Sequence, residues 1–255
     1  IINMKRAFRF FSFGLLGSFL LLLSCKTKKS LVGTADATIT FKFVQVNDVY
    51  EIAPLGGGKY GGMARGAHIS DSIRDENPNT FLVMAGDFLN PSLLGTLKLN
   101  GERIRGKHMI EVMNAMKFDL ATFGNHEFDL AEEDFQKRLN EATFPWTTAN
   151  VYQQHEDGPS SFNTINGSDS LRIPETYIIP IKRADTVALK IGLFSVTIAS
   201  NPQEYVYYSD YLVEAQTAYS SLENRKADII LGLTHLDVDQ DVKVANKLPK
   251  LPLFM

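Results

Sequence analysis

The sequence predicts an α/β fold, and three observations support this prediction. Short apolar, β-prone runs alternate with stretches of helical periodicity along most of the chain. Several of these runs end in Asp, Asn or His, as expected where buried strands finish at a ligand-binding edge of an open sheet. The chain has 255 residues and 44% hydrophobic content. It is therefore long enough and apolar enough to bury a substantial core.

Seven apolar runs are predicted to be strands. They are Ile39–Val46, Phe81–Ala85, Phe118–Phe123, Trp146–Val151, Val187–Thr197, Asp228–Leu233 and Leu251–Met255. Helices are predicted between them, from Gly62 to about Arg74, Met109–Met116, Leu130–Leu139, Val213–Lys226 and Asp239–Leu248. The stretch Tyr152–Arg172 is polar and rich in Ser, Gly, Asn and Asp, which predicts a long loop.

The first 25 residues have the pattern of a secretory signal peptide. A basic segment, Met4–Arg6, precedes the apolar run Phe10–Leu23, which is too short and wrongly flanked for a transmembrane helix. Leu22–Cys25 resembles a bacterial lipobox. That resemblance implies that Cys25 carries lipid and anchors the protein to a membrane outside the cytoplasm, at the periplasmic face or the cell surface.

The composition of the rest of the chain predicts two regions and limits the kinds of partner to expect. Residues 26–37 form a polar tether, and residues 38–255 are predicted to be the folded domain. Cys25 is the only cysteine, which excludes a disulfide framework. The net charge of −3 and the pI of about 6.0 give no reason to expect a nucleic-acid polymer as partner.

Four candidate metal ligands follow apolar runs directly: Asp48, Asp87, Asn125 and His235. Placement after strands can gather residues that are distant in sequence at one edge of a sheet. Carboxylate, amide and imidazole groups together suit mid-row divalent ions. Any one of these residues alone has a simpler interpretation, because Asp after a strand is commonly a turn residue.

The segment Gly124–Asp129 reads Gly-Asn-His-Glu-Phe-Asp and lies between a predicted strand and a predicted helix. Gly124 permits a tight turn that presents Asn125, His126 and Glu127 at the strand end. A simpler interpretation is a polar turn in which Asp129 caps the helix and Glu132 completes a capping box.

Together, Gly-Asn-His-Glu-Phe-Asp, the Gly-Asp at residue 87 and the strand-end residues resemble the calcineurin-like metallophosphoesterases, especially their 5'-nucleotidase branch. The resemblance implies a sandwich of two sheets flanked by helices and two divalent ions, such as Mn, Zn or Fe. It implies that Asp48 binds one ion, that Asp87 bridges both, and that Asn125 and His235 bind the second.

The resemblance also implies a mechanism in which a metal-bridging hydroxide attacks phosphorus. His126 would be the catalytic histidine and Asp129 the carboxylate that orients it, while Glu127 is expected to be structural. The predicted function is hydrolysis of a phosphomonoester, with a nucleotide or a related phosphate ester as substrate. Two alternatives remain open: a phosphodiesterase acting on cyclic nucleotides or nucleotide sugars, and a degenerate surface lipoprotein that does not catalyse.

Two departures from the family pattern affect these expectations. Tyr50 stands where the pattern has a metal-binding histidine, and it is either a phenolate ligand or only a wall of the pocket. The pattern's final Gly-His-x-His does not occur in the sequence. The resemblance therefore implies that the domain is incomplete at its C-terminus, that a substrate domain is missing, and that this 255-residue chain binds metal poorly and is inactive.

Overall fold

The computed structural model describes residues 38–183, 186–200 and 202–255. The signal peptide, Cys25 and the tether up to residue 37 lie outside the described residues. Within the described part of the chain, no helix is both long and apolar enough to cross a membrane. Residues Thr40–Met255 form one compact unit.

Strands and helices alternate through this unit, so the prediction of an α/β fold is confirmed. The strands are β1 Lys42–Val46, β2 Thr80–Met84, β3 Lys98–Leu99, β4 Glu102–Arg103, β5 Leu120–Ala121, β6 Val151–His155, β7 Gly158–Ser160, β8 Asn163–Asn166, β9 Asp169–Arg172, β10 Thr176–Arg183, β11 Thr186–Thr197, β12 Val206–Tyr208 and β13 Ile229–His235. The helices are α1 Met63–Glu76, α2 Leu93–Thr96, α3 Lys107–Met116, α4 Glu132–Glu141, α5 Tyr211–Asn224 and α6 Val238–Lys247, with a 3₁₀ turn at His126–Asp129.

The first main sheet has the order β1-β2-β5 and is parallel. β2 is its central strand, and its residues Leu82, Val83 and Met84 are almost wholly buried, as expected for a parallel strand covered on both faces. Because all three strands run the same way, their carboxyl ends meet at one edge. Asp48, Asp87 and Asn125 follow these three strands.

The second main sheet has the order β10-β11-β13. β11 pairs antiparallel with β10 and parallel with β13, which places Thr197 opposite His235 at the end of the pair. β10 was not predicted. It contains Pro180, which an edge strand tolerates because one side of such a strand needs no N–H donor.

The last predicted strand, Leu251–Met255, is not a regular strand. It contacts this sheet through an isolated bridge and a few backbone hydrogen bonds. Phe254 forms an isolated parallel bridge with Gly232, and the backbone N–H of Thr234 donates to the carbonyl oxygen of Met255 at 2.8 Å.

The segment around Trp146 connects the two sheets. Trp146 forms an isolated parallel bridge with Ala121, while Ala149 donates its N–H to the carbonyl oxygen of Ser195 on β11. The prediction of a strand at Trp146–Val151 is therefore wrong in its bounds, because β6 begins only at Val151. Near the sheet ends, the hydroxyl of Thr197 donates to the carbonyl oxygen of Phe123 at 2.6 Å.

Two hydrophobic clusters support the sheets. One contains residues of β2, α3 and α4 with a group of aromatic rings, and the other contains residues of β11, β13, α5 and α6. Ring contacts in the first cluster join Phe123, Phe128, Phe135, Trp146 and Phe162. Because Phe123 and Phe128 flank residues 124–127, this cluster anchors both ends of the segment that carries Asn125 and His126.

The prediction of a long loop at Tyr152–Arg172 is wrong. This stretch contains most of two hairpins, β6 with β7 and β8 with β9. All four residues of β9 are exposed, including Leu171. A strand that is exposed along its whole length, as β9 is, needs no alternation of apolar and polar residues, so the usual pattern of a strand is absent there.

Candidate metal centre

The strand ends of both sheets line one cavity of about 390 Å³. The cavity is lined by side chains that were predicted to share a site and by several that were not. Its residues are Asn47, Asp48, Tyr50, Asp87, Asn125, His126, Ile198, Ser200, Thr234, His235, Leu236 and Asp237. All four predicted metal ligands are thus brought together, although they span 188 positions of the chain, from residue 48 to residue 235. Their roles as ligands stay a prediction.

Asp87 is the most buried carboxylate of the cavity, with 2% of its surface exposed. It has a left-handed backbone conformation with φ of 60°. Its Oδ1 accepts the backbone N–H of His126 at 2.9 Å, and its Oδ2 accepts the hydroxyl of Tyr50 at 2.8 Å. Burial would raise the pKa of Asp87, but the hydrogen bond from His235 and the further donors hold that pKa below its ordinary value. The carboxylate is therefore ionised at neutral pH.

His235 has the tautomer that suits a metal ligand. Its Nδ1 lies 2.7 Å from the carbonyl oxygen of Ala85, which can only accept, so Nδ1 carries a hydrogen. Nε2 then faces Oδ2 of Asp87 at 3.3 Å. Burial opposes protonation of the ring, but the contact with Asp87 raises the pKa of His235 to about 9. A divalent ion would replace the proton on Nε2.

Three of the predicted ligands lie close enough to share an ion. One ligand atom from each of Asp48, Asp87 and His235 falls within 4.8 Å of the other two. Two carboxylate oxygens and an imidazole nitrogen are a common ligand set for divalent ions of the first transition row. The residues present therefore fit a divalent ion. Asn125 lines the same cavity and offers an amide oxygen.

Tyr50 contacts both carboxylates of this group. Its hydroxyl lies 2.8 Å from Oδ2 of Asp87 and 3.1 Å from Oδ1 of Asp48. Burial, together with the hydrogen bond to Asp87, raises the pKa of Tyr50 far above its ordinary value. In the metal-free protein the phenol is therefore a neutral hydrogen-bond donor to both carboxylates. Whether it becomes a phenolate ligand when a metal binds stays a prediction.

His126 and Asp129 form a pair at the rim. Nδ1 of His126 lies 2.6 Å from Oδ2 of Asp129, which also accepts the side-chain amide of Asn90 at 3.1 Å. The hydrogen bond to Asp129 raises the pKa of His126 above its ordinary value, although burial works against it. The alternative in which Asp129 caps the following helix is wrong, because α4 has Ala131 at its N-cap and no side-chain cap.

Sequence reasoning missed two supporting residues. Asn90 reaches Asp129 across 39 positions, and Asn47 donates its side-chain amide to Oδ2 of Asp48 at 2.5 Å. The only sequence signal for the supporting role of Asn47 is its position at the end of β1, beside Asp48. Nothing local indicates Asn90, because its contact depends on how two distant loops pack.

Known proteins resemble the chain over most of its length. It is 29% identical over 195 residues to a snake venom 5'-nucleotidase of Naja atra, covering 74% of this chain and 33% of that protein. It is 27% identical over 250 residues to a probable 5'-nucleotidase of Treponema pallidum (strain Nichols), covering 92% of this chain and 38% of that protein. The chain thus spans roughly a third of the length of these curated relatives.

A solved structure and a family model agree with these relatives. The crystal structure of the 5'-nucleotidase precursor from Thermus thermophilus superposes with a TM-score of 0.63 at 26% identity, covering 80% of this chain and 38% of that chain. The model of the calcineurin-like phosphoesterase family matches residues 41–244, which include every predicted site residue except Cys25. The chain belongs to the calcineurin-like phosphoesterase family.

Proposed function

We propose that the protein is a metal-dependent hydrolase of phosphate esters, and specifically a 5'-nucleotidase-like phosphomonoesterase. The observation that carries the proposal is that one ligand atom from each of Asp48, Asp87 and His235 lies within 4.8 Å of the other two, in the cavity that His126 also lines. The cluster of metal ligands provides a place for cations. The nearby histidine, which is paired with a carboxylate, provides a polar group that can contact the substrate. The 5'-nucleotidases among the relatives support the choice of nucleotides as substrates.

In this proposal, Asp48 and Asp87 would hold one divalent ion, and Asp87 would hold a second ion together with Asn125 and His235. When bound, divalent ions would polarise phosphoryl oxygens and lower the pKa of water from about 15.7 to about 7. Asp48 and Asp87 supply the negative charge that two cations need. Hydrogen bonds to these carboxylates fix the direction of their lone pairs before any cation arrives.

His126 acts on the substrate. Its Nδ1 is held by Asp129, so the ring has a fixed orientation and one fixed tautomer while it remains neutral. Because its pKa is raised, a larger fraction of the ring is protonated near neutral pH. Nε2–H then donates to a phosphoryl or leaving-group oxygen, and Asp129 stabilises the charge on the ring.

The first experiment uses the full-length gene product and measures hydrolysis of p-nitrophenyl phosphate and of nucleoside 5'-monophosphates with Mn²⁺ or Zn²⁺ added. We expect activity with metal, loss of activity with a chelator, and no activity for Asp87→Asn. Asp75→Asn is the matched control, because Asp75 is exposed on α1. A wild-type protein that is inert with every divalent ion contradicts the proposal.

Comparing substrates separates the alternatives. Faster hydrolysis of bis(p-nitrophenyl) phosphate than of the monoester would favour a phosphodiesterase. Metal analysis and the variant His126→Ala test the non-catalytic alternative. A degenerate lipoprotein would be favoured by fewer than one bound ion per chain together with unchanged function of His126→Ala.

We also propose that the protein is anchored outside the cytoplasm through lipid on Cys25. Buried acyl chains contribute about 0.8 kcal/mol per CH₂, so more than one chain makes a stable anchor. The expected result is that Cys25→Ala moves the protein from the membrane fraction to the soluble fraction. Retention of the variant in the membrane fraction would contradict the lipid anchor.

A further inference from the structure

We propose that Glu127 is a positioning residue for the metal centre, because its carboxylate clamps the loop that carries Asp87 to the loop that carries Asn125 and His126. Since the metal belongs to the proposed function, this inference rests on that function. The clamp itself is a property of the protein without metal, so an experiment can contradict the clamp without contradicting the proposed function, and the reverse.

The carboxylate of Glu127 is wholly buried and accepts four backbone N–H groups. Oε1 accepts from Phe88 at 2.7 Å and from Leu89 at 3.1 Å. Oε2 accepts from Asp87 at 2.8 Å and from Gly124 at 2.6 Å. Three successive N–H groups that converge on one anion form the kind of backbone concavity that binds anions elsewhere in proteins.

The left-handed conformations of Gly86 and Asp87 produce this concavity. Their φ angles are 90° and 60°. They turn the chain after β2 so that the N–H groups of residues 87–89 point inward rather than along a strand. Glu127 therefore fills the concavity from inside the protein, and Asp87 is free to direct its own carboxylate into the cavity.

The two loops are in direct contact at this point. A Cβ on Gly86 would stand only 2.6 Å from Cα of Gly124 and 2.8 Å from the carbonyl carbon of Phe123. The N–H of His126 donates to Oδ1 of Asp87 at 2.9 Å, so the same contact sets the distance between the carboxylate of Asp87 and the backbone of His126. Glu127 stabilises this contact from one side by bonding to both loops.

All four partners of the Glu127 side chain are backbone donors, so a side chain at this position has to accept hydrogen bonds at both of its terminal atoms. Both oxygens of Glu127 face donors, and each of them accepts two N–H groups. A glutamine has nearly the same shape but presents an NH₂ group at one of the two positions. That group would face two N–H donors inside the protein, so hydrogen bonds would be lost and the loops would move apart.

The test compares Glu127→Gln with wild-type protein in Mn²⁺ titrations followed by electron paramagnetic resonance. We expect Mn²⁺ affinity to fall at least about ten-fold, with a changed spectrum of the bound ion, because residues that orient ligands typically contribute that much. Glu133→Gln is the matched control, since Glu133 is an exposed acid on α4. Unchanged affinity and an unchanged spectrum in folded Glu127→Gln, with only a lower melting temperature, would overturn the proposal.

Amide hydrogen exchange in the wild-type protein provides a measurement that does not depend on whether the variant folds. We expect the N–H groups of residues 87–89 and of Gly124 to be strongly protected before any metal is added. Exchange as fast as that of Gly57, which lies in an exposed loop, would overturn the clamp. If the clamp is confirmed while no phosphate ester is hydrolysed, only the proposed function fails.

Discussion

Nδ1 of His126 lies 2.6 Å from Oδ2 of Asp129, and the two residues belong to one 3₁₀ turn. Their separation of three positions is the spacing at which side chains of such a turn lie above one another. The turn therefore contains both the proposed catalytic histidine and the group that orients it. It begins where the contact between Asp87 and the N–H of His126 fixes the chain.

Removing Asp129 tests whether this orientation matters. Asp129→Ala is expected to lower kcat for phosphate ester hydrolysis by about 10–100-fold, because the ring of His126 loses its fixed direction and its neighbouring charge. Metal content should stay unchanged, since Asp129 is not among the predicted ligands. Asp75→Ala applies the same change to the exposed surface of α1 and is expected to keep full activity. Equal rates for Asp129→Ala and wild type would remove Asp129 from the mechanism.

Tyr50 offers a second test, since its hydroxyl contacts both Asp48 and Asp87. Tyr50→His places an imidazole beside these carboxylates, where a nitrogen can bind a cation that a neutral phenol binds weakly. We expect more tightly held ions per chain in the variant, as measured by elemental analysis after dialysis. Tyr60→His is the control, because Tyr60 is 69% exposed. The same ion content in Tyr50→His and wild type would show that residue 50 does not limit metal binding.

The positions of the predicted ligands could be read from the sequence because each follows an apolar run. Asp87 comes shortly after a run of buried side chains, and His235 ends a strand whose middle is buried. Burial leaves a strong local pattern, and the polar residue that follows it marks the edge of the sheet. The first sheet and its site-bearing edge were predictable for this reason.

Other features left no local pattern. β9 is exposed along its whole length and β8 along half of it, so most of their residues are polar and the segment resembles a loop. The clamp made by Glu127 depends on N–H groups 38 to 40 positions away, and nearly every residue has an N–H group whatever its side chain. Contacts that use the backbone of distant loops are therefore invisible until the fold is known.

The environment of His108 predicts how the free energy of unfolding depends on pH. The ring is buried at the start of α3, its Nε2 lies 3.1 Å from the hydroxyl of Ser92, and its Nδ1 has no partner among the described residues. Burial lowers the pKa of His108, and the smaller effects of the charges of Glu51 and Arg138 oppose each other. Below about pH 6.5, the unfolded chain then binds a proton that the folded chain does not, so the free energy of unfolding falls as the pH falls.

The measurement is urea unfolding at about pH 7.5 and at about pH 5.5. Wild-type protein is expected to lose more stability between these values than His108→Gln, because the variant no longer has the imidazole. His155→Gln is the control, as His155 is exposed on β6. An identical loss in wild type and His108→Gln would show that other groups govern the pH dependence.

Gly124 gives the most direct test of the contact between the two site loops. A Cβ at this position would overlap Oδ1 of Asp87 and would stand 2.6 Å from the backbone nitrogen of Asp87. Gly124→Ala is therefore expected to displace Asp87, to lower the free energy of unfolding by about 1–3 kcal/mol, and to weaken Mn²⁺ binding. Gly66→Ala is the control, since its Cβ would meet only Cε of Met116 at 3.8 Å, and alanine should stabilise α1 by up to about 1 kcal/mol. Urea unfolding and Mn²⁺ titration of both variants measure these effects. A Gly124→Ala protein with wild-type stability and metal affinity would mean that the position of Asp87 does not depend on close packing of the two loops.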